Sequence, residues 1–342
     1  MSKDNDSDVP HPRETFALFG HADAERILLD SYKTGRMPHA WLLGGPRSIG
    51  KATLAYRLAR FVLAHPDPGA PAVQAAASLA IDQDNPVARR VAGESHSDLL
   101  VLERVIGDTG KLNRSIRVEQ VRQTVGFFGS TAGEGGWRIA IVDAIDELQS
   151  EGENALLKVL EEPPPRSLLL LVSHAPGRIL PTIRSRCRQL LLRPLSPSDV
   201  ASAAALAAGS AAAGPALIEA AAAADGSVER ALSLMGGSAL AVRERALALL
   251  GQLPNPDPQA LHALGDAMSG VDPAPLETFV DTVNGWLSQR LHQQSGETGQ
   301  AARVARAWEQ INVAAREAET YNLERKPLVF GVFRLLAEAA RG

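Results

Sequence analysis

The 342-residue chain has a single cysteine, Cys187. One thiol cannot close an internal disulfide or furnish a multi-cysteine zinc site, and it fits a reducing compartment. A strong charge of one sign is also missing. Net charge is −4 and the pI about 6.1, so no overall basic field marks the chain for nucleic acid. Any DNA contact would have to come from a local patch or from partner subunits. No apolar run is long enough to cross a membrane, which takes roughly 18 residues or more. The Ala-rich stretch from Ala201 to Ala224 is interrupted by Gly209, Gly214, Pro215 and Glu219. The opening "MSKDNDSDVPHPRE" is polar and acidic without the apolar centre of a signal peptide, so residues 1–18 read as a disordered tail and the protein as cytoplasmic.

What is present is a hydrophobic share of 45% in a chain long enough for two or three domains with a buried core. "HAWLLG" (39–44) is a short apolar run ending in glycine, the pattern of a buried strand. "GKATLAYRLARFVLA" follows, with Leu54, Leu58 and Phe61 at helical spacing and Arg57 and Arg60 on other faces. The stretch from His65 to Ser97 has no clear period. Further strands are expected in "DLLVLERV", in "WRIAIVDAIDEL" up to Asp143, in "SLLLLVSH" and in "RQLLLRPL". "ENALLKVLEEPPP" reads as a helix with Ala155, Leu156, Val159 and Leu160 inward, stopped by three prolines. Pro181 suits the first turn of another helix. Apolar strands alternating with helices imply a parallel sheet covered on both faces. Past Pro194 the pattern is helical to the end. Segment 104–122 carries five basic and two acidic side chains, among them Lys111, Arg114, Arg117 and Arg122, a candidate DNA-backbone contact.

Between the first strand and its helix lies "GPRSIGKAT" (45–53). A phosphate-binding loop is written G-x-x-x-x-G-K-[ST], its glycines letting backbone amides and the lysine cradle phosphates. Gly45, Gly50 and Lys51 fit, but the hydroxyl position is Ala52, with Thr53 one residue late and about 100° further round the helix.

Three longer segments add a resemblance. "RMPHAWLLGGPRSIGKATLAYRLARFVL", "RIAIVDAIDELQSEGENALLKVLEEPP" and "LLLLVSHAPGRILPTIRSRCRQL" occur in that order. Together they resemble the AAA+ clamp-loader subunits of DNA polymerase III, strongly over residues 19–195 and more weakly in "YNLERKPLVFGVFRLLAEAAR" near the end. The resemblance implies an AAA+ parallel-sheet P-loop core over 19–193, a small helical lid over 194–237 and an all-helical collar over 238–342. Within the family the motor subunit, gamma/tau, keeps every ATPase residue, whereas the delta-prime subunit has lost some.

The departures from the motor pattern decide between them. The Ser/Thr hydroxyl after the loop lysine would hold Mg²⁺ together with a strand-end Asp. Ala52 has no such oxygen, though Asp143 is kept. The second motif would end Asp-Glu, the Glu polarising the attacking water, and here it is Asp143-Ala144. Asp146 and Glu147 in the following turn read as a solvated face or a helix cap. The lid motif Gly-Ser-x-Arg is "GSVERAL", with Glu229 in the arginine's place and the arginine moved to Arg230. Ser173 takes the polar sensor position, and His174 beside it reads as a structural or surface residue.

Three losses imply a degenerate ATPase without hydrolysis. ATP or ADP binding through Gly45, Gly50, Lys51, Thr53 and Asp143 stays open as a reading, against a tight turn with a solvated lysine. No zinc is expected, since the stretch from Leu63 to Asp98, where family members carry a four-cysteine module, has no cysteine. In "SRC" the resemblance makes Arg186 an arginine finger that reaches a neighbouring subunit's ATP, against an intramolecular ion pair at a helix end. Cys187 reads as a small packing residue. The implied protein is a delta-prime-type stator that assembles with gamma/tau ATPase and delta subunits and helps load the sliding clamp on primed DNA. An active gamma/tau-type subunit, a pure scaffold, and a stand-alone phosphate-loop kinase or transferase are the rivals.

Overall fold

Five apolar segments become five parallel strands: β1 (Ala40–Gly44), β2 (Leu99–Glu103), β3 (Arg138–Asp143), β4 (Ser167–Ser173) and β5 (Arg188–Leu191). The computed structural model describes residues 10–107, 112–113, 115–129, 133, 136–235, 238–269, 274–293, 298–320 and 323–341. The strands lie in the order β2-β3-β4-β1-β5. β1 and β4 are buried at every position, which is why they read as unbroken apolar runs, Ala40 to Leu43 and Leu168 to Val172, without alternation. β5 is an edge strand and buries only Leu190. Register is set by pairs such as Leu42 with Leu171 and Val142 with Leu171.

The helices are α1 (Ala22–Lys33), α2 (Lys51–Ala64), α3 (Pro71–Ala75), α4 (Pro86–Ala92), α5 (Val118–Gly129), α6 (Ser150–Glu161), α7 (Pro181–Arg184), α8 (Pro197–Ala207), α9 (Pro215–Ala223), α10 (Val228–Leu234), α11 (Ser238–Leu250), α12 (Pro258–Ala267), α13 (Ala274–Gln293), α14 (Thr298–Thr320) and α15 (Arg325–Arg341). Among the described residues no helix is long and apolar enough to cross a membrane. The chain divides into two compact units, residues 1–214 with 225–228, and residues 215–224 with 229–342. α8 therefore falls in the first unit, and α9 with the body of α10 in the second. Gly237, where the lid was expected to end, lies outside the described residues.

In the first unit one face of the sheet packs Leu42, Val142 and Leu171 against Val121 and Phe128 of α5 and Leu156 and Leu160 of α6. Cys187 joins this core at 8% exposure, and burial pushes its thiol up to about 12. It is a packing residue and not a thiolate at neutral pH. In the second unit Val242, Leu264, Phe279, Ile311 and Phe333 belong to one core.

Two expectations are corrected here. The tail does not extend to residue 18. Arg60, 1% exposed on α2, donates to the carbonyls of Arg13 (2.8 Å) and Thr15 (2.7 Å) and stacks on Phe16. Arg57 bonds the Phe16 carbonyl and Glu25. The two arginines thus grip segment 13–16 because buried guanidinium needs acceptors and this backbone supplies them. Secondly, the stretch from His65 to Ser97 contains α3 and α4. Pro86 occupies the first turn of α4 and the Asn85 side chain accepts from the Val87 amide, an N-cap.

Candidate functional site

β1 ends at Gly44, whose carbonyl accepts from the Leu192 amide at 2.8 Å. The chain then turns sharply. Gly45 has φ 149°, and a Cβ there would stand 2.5 Å from the Leu192 carbonyl oxygen. Ser48 (φ 55°) and Gly50 (φ 95°) also lie in the left-handed region, and α2 starts immediately after. A glycine-rich turn of this kind leading straight into a helix N-terminus is the setting in which backbone amides can receive an anion.

The loop is braced from outside. His21 Nε2 meets the Ile49 carbonyl at 2.6 Å, and the Val228 amide donates to the Ser48 carbonyl at 2.9 Å. The second brace comes from the Gly226-Ser227 turn of the lid motif. Sequence reasoning sought an arginine in that motif and missed its backbone contact. Arg230 instead approaches the Thr282 hydroxyl, and Glu229 is exposed.

Lys51 is 3% exposed, and its ammonium donates to the Pro46 carbonyl of its own loop. Loss of water pushes its pKa down to about 8, with Asp143 and Asp146 pulling the other way. The reading of a merely solvated lysine is excluded by this burial. Asp143 ends β3 in register with Glu103 on β2. Burial foremost, then Glu103, raises the Asp143 carboxyl to about 6, against the pull of Lys51. Ala52 and Thr53 are half-buried on α2, and the Thr53 hydroxyl makes no hydrogen bond among the described residues. The residues present do not fit a Mg²⁺ site of the phosphate-loop type, which needs an oxygen where Ala52 has a methyl. The positive-φ loop at the start of α2 is the feature that a phosphate would use.

Asp146 and Glu147 are neither a solvated face nor a helix cap. They sit in a 3₁₀ turn (Ile145–Glu147), and Asp146 accepts from the Ser173 hydroxyl (2.9 Å) and from the amides of His174 (2.5 Å) and Ala175 (3.1 Å). It clamps the loop after β4, at the Ser173 that the sequence resemblance put at the sensor position. Glu147 bridges Arg104 at 2.7 Å and the loop residue Arg47 at 3.4 Å. Burial, then Lys51 and Arg47, lowers His174 to about 3, so its imidazole is neutral at ordinary pH.

Arg186 stands apart from this cluster, between α7 and β5. It donates to the Thr182 carbonyl at 2.9 Å and to Glu161 at 2.8 Å. The intramolecular pair is therefore formed, but both partners are exposed and such pairs are worth about 0–1 kcal/mol, too little to hold the side chain against a stronger acceptor. Of the basic segment, Arg117 and Arg122 are exposed, while Lys111 and Arg114 lie outside the described residues.

A parallel sheet ordered β2-β3-β4-β1-β5, a glycine loop between β1 and α2 and helices following define an AAA+ P-loop core. The family model described as DNA polymerase III, delta subunit, matches residues 20–196. The chain belongs to that family, and it is of the delta-prime-like kind. Its relatives include the DNA polymerase III subunit delta' of Pseudomonas aeruginosa, 38% identical over 151 residues, or 44% of this chain and 42% of that protein. The Escherichia coli subunit delta' is 32% identical over 167 residues (49% and 46%). The tau/gamma subunit of Haemophilus influenzae is 27% identical over 302 residues, 82% of this chain and 41% of that one. The chain thus matches less than half the length of each of these relatives. Among solved structures, a gamma subunit-related protein of Thermotoga maritima aligns with TM-score 0.45 and 15% identity, over 92% of this chain and 100% of that one.

Proposed function

We propose that the chain is a non-hydrolysing delta-prime-type subunit of a DNA polymerase III clamp loader. One observation carries the reading: the two positions that would ligate metal and polarise water, Ala52 and Ala144, are methyl groups beside an otherwise preserved and braced phosphate loop. A loop kept in shape without its chemistry suits a subunit that holds a place in a ring. Within that reading the core spans residues 19–193, the lid 194–237 and the collar 238–342, and the collar carries assembly with gamma/tau and delta subunits. The sliding clamp and primed DNA are reached through the assembled complex, in the cytoplasm.

Arg186 is the residue offered in trans. It presents a planar fork of donors and keeps 36% of its side chain exposed at the rim of the core. The test is DNA- and clamp-stimulated ATP hydrolysis by the reconstituted complex, with assembly checked by gel filtration. Arginine fingers are worth about 10³–10⁵ in rate at the site they serve. With several sites in the loader, Arg186→Ala lowers total turnover by less than this and impairs clamp loading more. Arg186→Lys rescues poorly, since a point charge cannot replace the fork. Wild-type loading by Arg186→Ala in a complete ring would leave the pure scaffold as the surviving reading.

A further inference from the structure

The partner of Arg186 has a feature that its own helix does not explain. Glu161 is the last residue of α6, and Glu162 follows. Carboxylates at the C-terminal end of a helix run against its dipole. Lys158 in the same turn offsets only one of the two charges. Beyond them Pro163, Pro164 and Pro165 fix φ at three successive residues, so the carboxylate stands on a stiff piece of backbone.

Arginine has five N–H donors in one plane. Arg186 commits one to the Thr182 carbonyl and one to Glu161, which leaves three without a partner among the described residues. These two bonds, together with the covalent attachment through Nε, give three non-collinear points and so orient the guanidinium plane. An exposed pair of this kind shifts an equilibrium by no more than about fivefold, so it directs the fork without locking it.

We propose that Glu161 is a positioning residue for Arg186, holding the guanidinium plane so that its three remaining donors are presented to the phosphates bound by a neighbouring subunit. The inference rests on the reading of Arg186 given above. Glu161 touches no nucleotide itself and acts through the arginine.

The experiment compares full-length wild type, Glu161→Gln, Glu161→Asp, Arg186→Ala and the Glu161→Gln/Arg186→Ala double variant. Each is reconstituted with the ATPase subunits and assayed for stimulated ATP hydrolysis over ATP concentration and ionic strength. Glu161→Gln is expected to lower kcat about two- to fivefold at unchanged KM, and Glu161→Asp to restore most of it. The deficit shrinks as salt screens the pair in the wild type, and it disappears in the Arg186→Ala background. Wild-type or raised turnover in Glu161→Gln, with Arg186→Ala still impaired, overturns the positioning role and leaves the arginine in trans. An equal deficit in both backgrounds places the effect of Glu161 elsewhere and also overturns it. Full activity of Arg186→Ala removes the parent reading and this one together.

Discussion

The ammonium of Lys51 donates to the carbonyl of Pro46, five residues back in the same loop. The lysine that would meet a phosphate already has one acceptor within its own loop, and the residue is only 3% exposed. The other two N–H groups of the ammonium are left for an anion entering the loop, but residue 52 offers no hydroxyl to hold a metal beside it.

The isolated chain should therefore show no ATP turnover above that of a Lys51→Ala control. The measurement is phosphate release from purified protein at saturating ATP and Mg²⁺. A Lys51-dependent rate of about 1 s⁻¹, the low end of ordinary enzymes, would instead favour an active gamma/tau-type motor.

Asp143 supplies a pH-dependent prediction. Its folded-state pKa, about 6, stands above the unfolded reference of 3.8, so the folded state binds more protons between these values. Stability then falls as pH rises through that window, and above about 6 the cost of a buried carboxylate beside Glu103 is present in full. The shift corresponds to at most about 3 kcal/mol, less whatever Lys51 loses with its partner. Asp143→Asn is expected to be more stable than wild type at pH 7.5 and to lose that advantage at pH 4, as read from urea unfolding. Destabilisation at pH 7.5 would show that the Lys51 attraction outweighs the burial cost.

The sheet and the loop were legible because their signals are local. Apolar runs ending in Gly44 and Asp143, and the Gly45–Gly50–Lys51 spacing, carry their own structure. Asn85-Pro86 was equally local, a cap followed by a first-turn proline, and was obscured by the irregular composition around it. Arg60 and Asp146 were not legible. A polar residue declares its exposure only through what packs on it, and their partners lie 45–47 and 27–29 residues away in sequence. The same holds for Arg186, whose partner Glu161 is 25 residues distant. That pair tells which contact the arginine makes within its own chain, while its role toward a neighbour is chemistry that a single chain does not contain.

The last prediction concerns the helices proposed to hold the ring. Asn284 on α13 and Asn312 on α14 exchange hydrogen bonds, each amide giving one and taking one, at 3.1 and 3.0 Å. Asn312 also donates to the Trp308 carbonyl at 2.8 Å. Their sequence neighbours Val283 and Ile311 are buried in the apolar core, so the pair is a polar contact at the border of a hydrophobic seam. Apolar contacts tolerate a slip of one helix along the other, whereas reciprocal amide bonds form in one register only. Asn312→Leu strands the Asn284 amide and is expected to cost about 1–3 kcal/mol in urea unfolding. The double variant with Asn284→Leu recovers much of that, giving a coupling energy of about 0.5–3 kcal/mol in a double-mutant cycle. If the register matters for assembly, the double variant regains stability yet still co-elutes less completely with its partner subunits in gel filtration. Additive single costs below about 0.5 kcal/mol, the range of ordinary surface substitutions, would mark the amide pair as incidental to the fold of these helices.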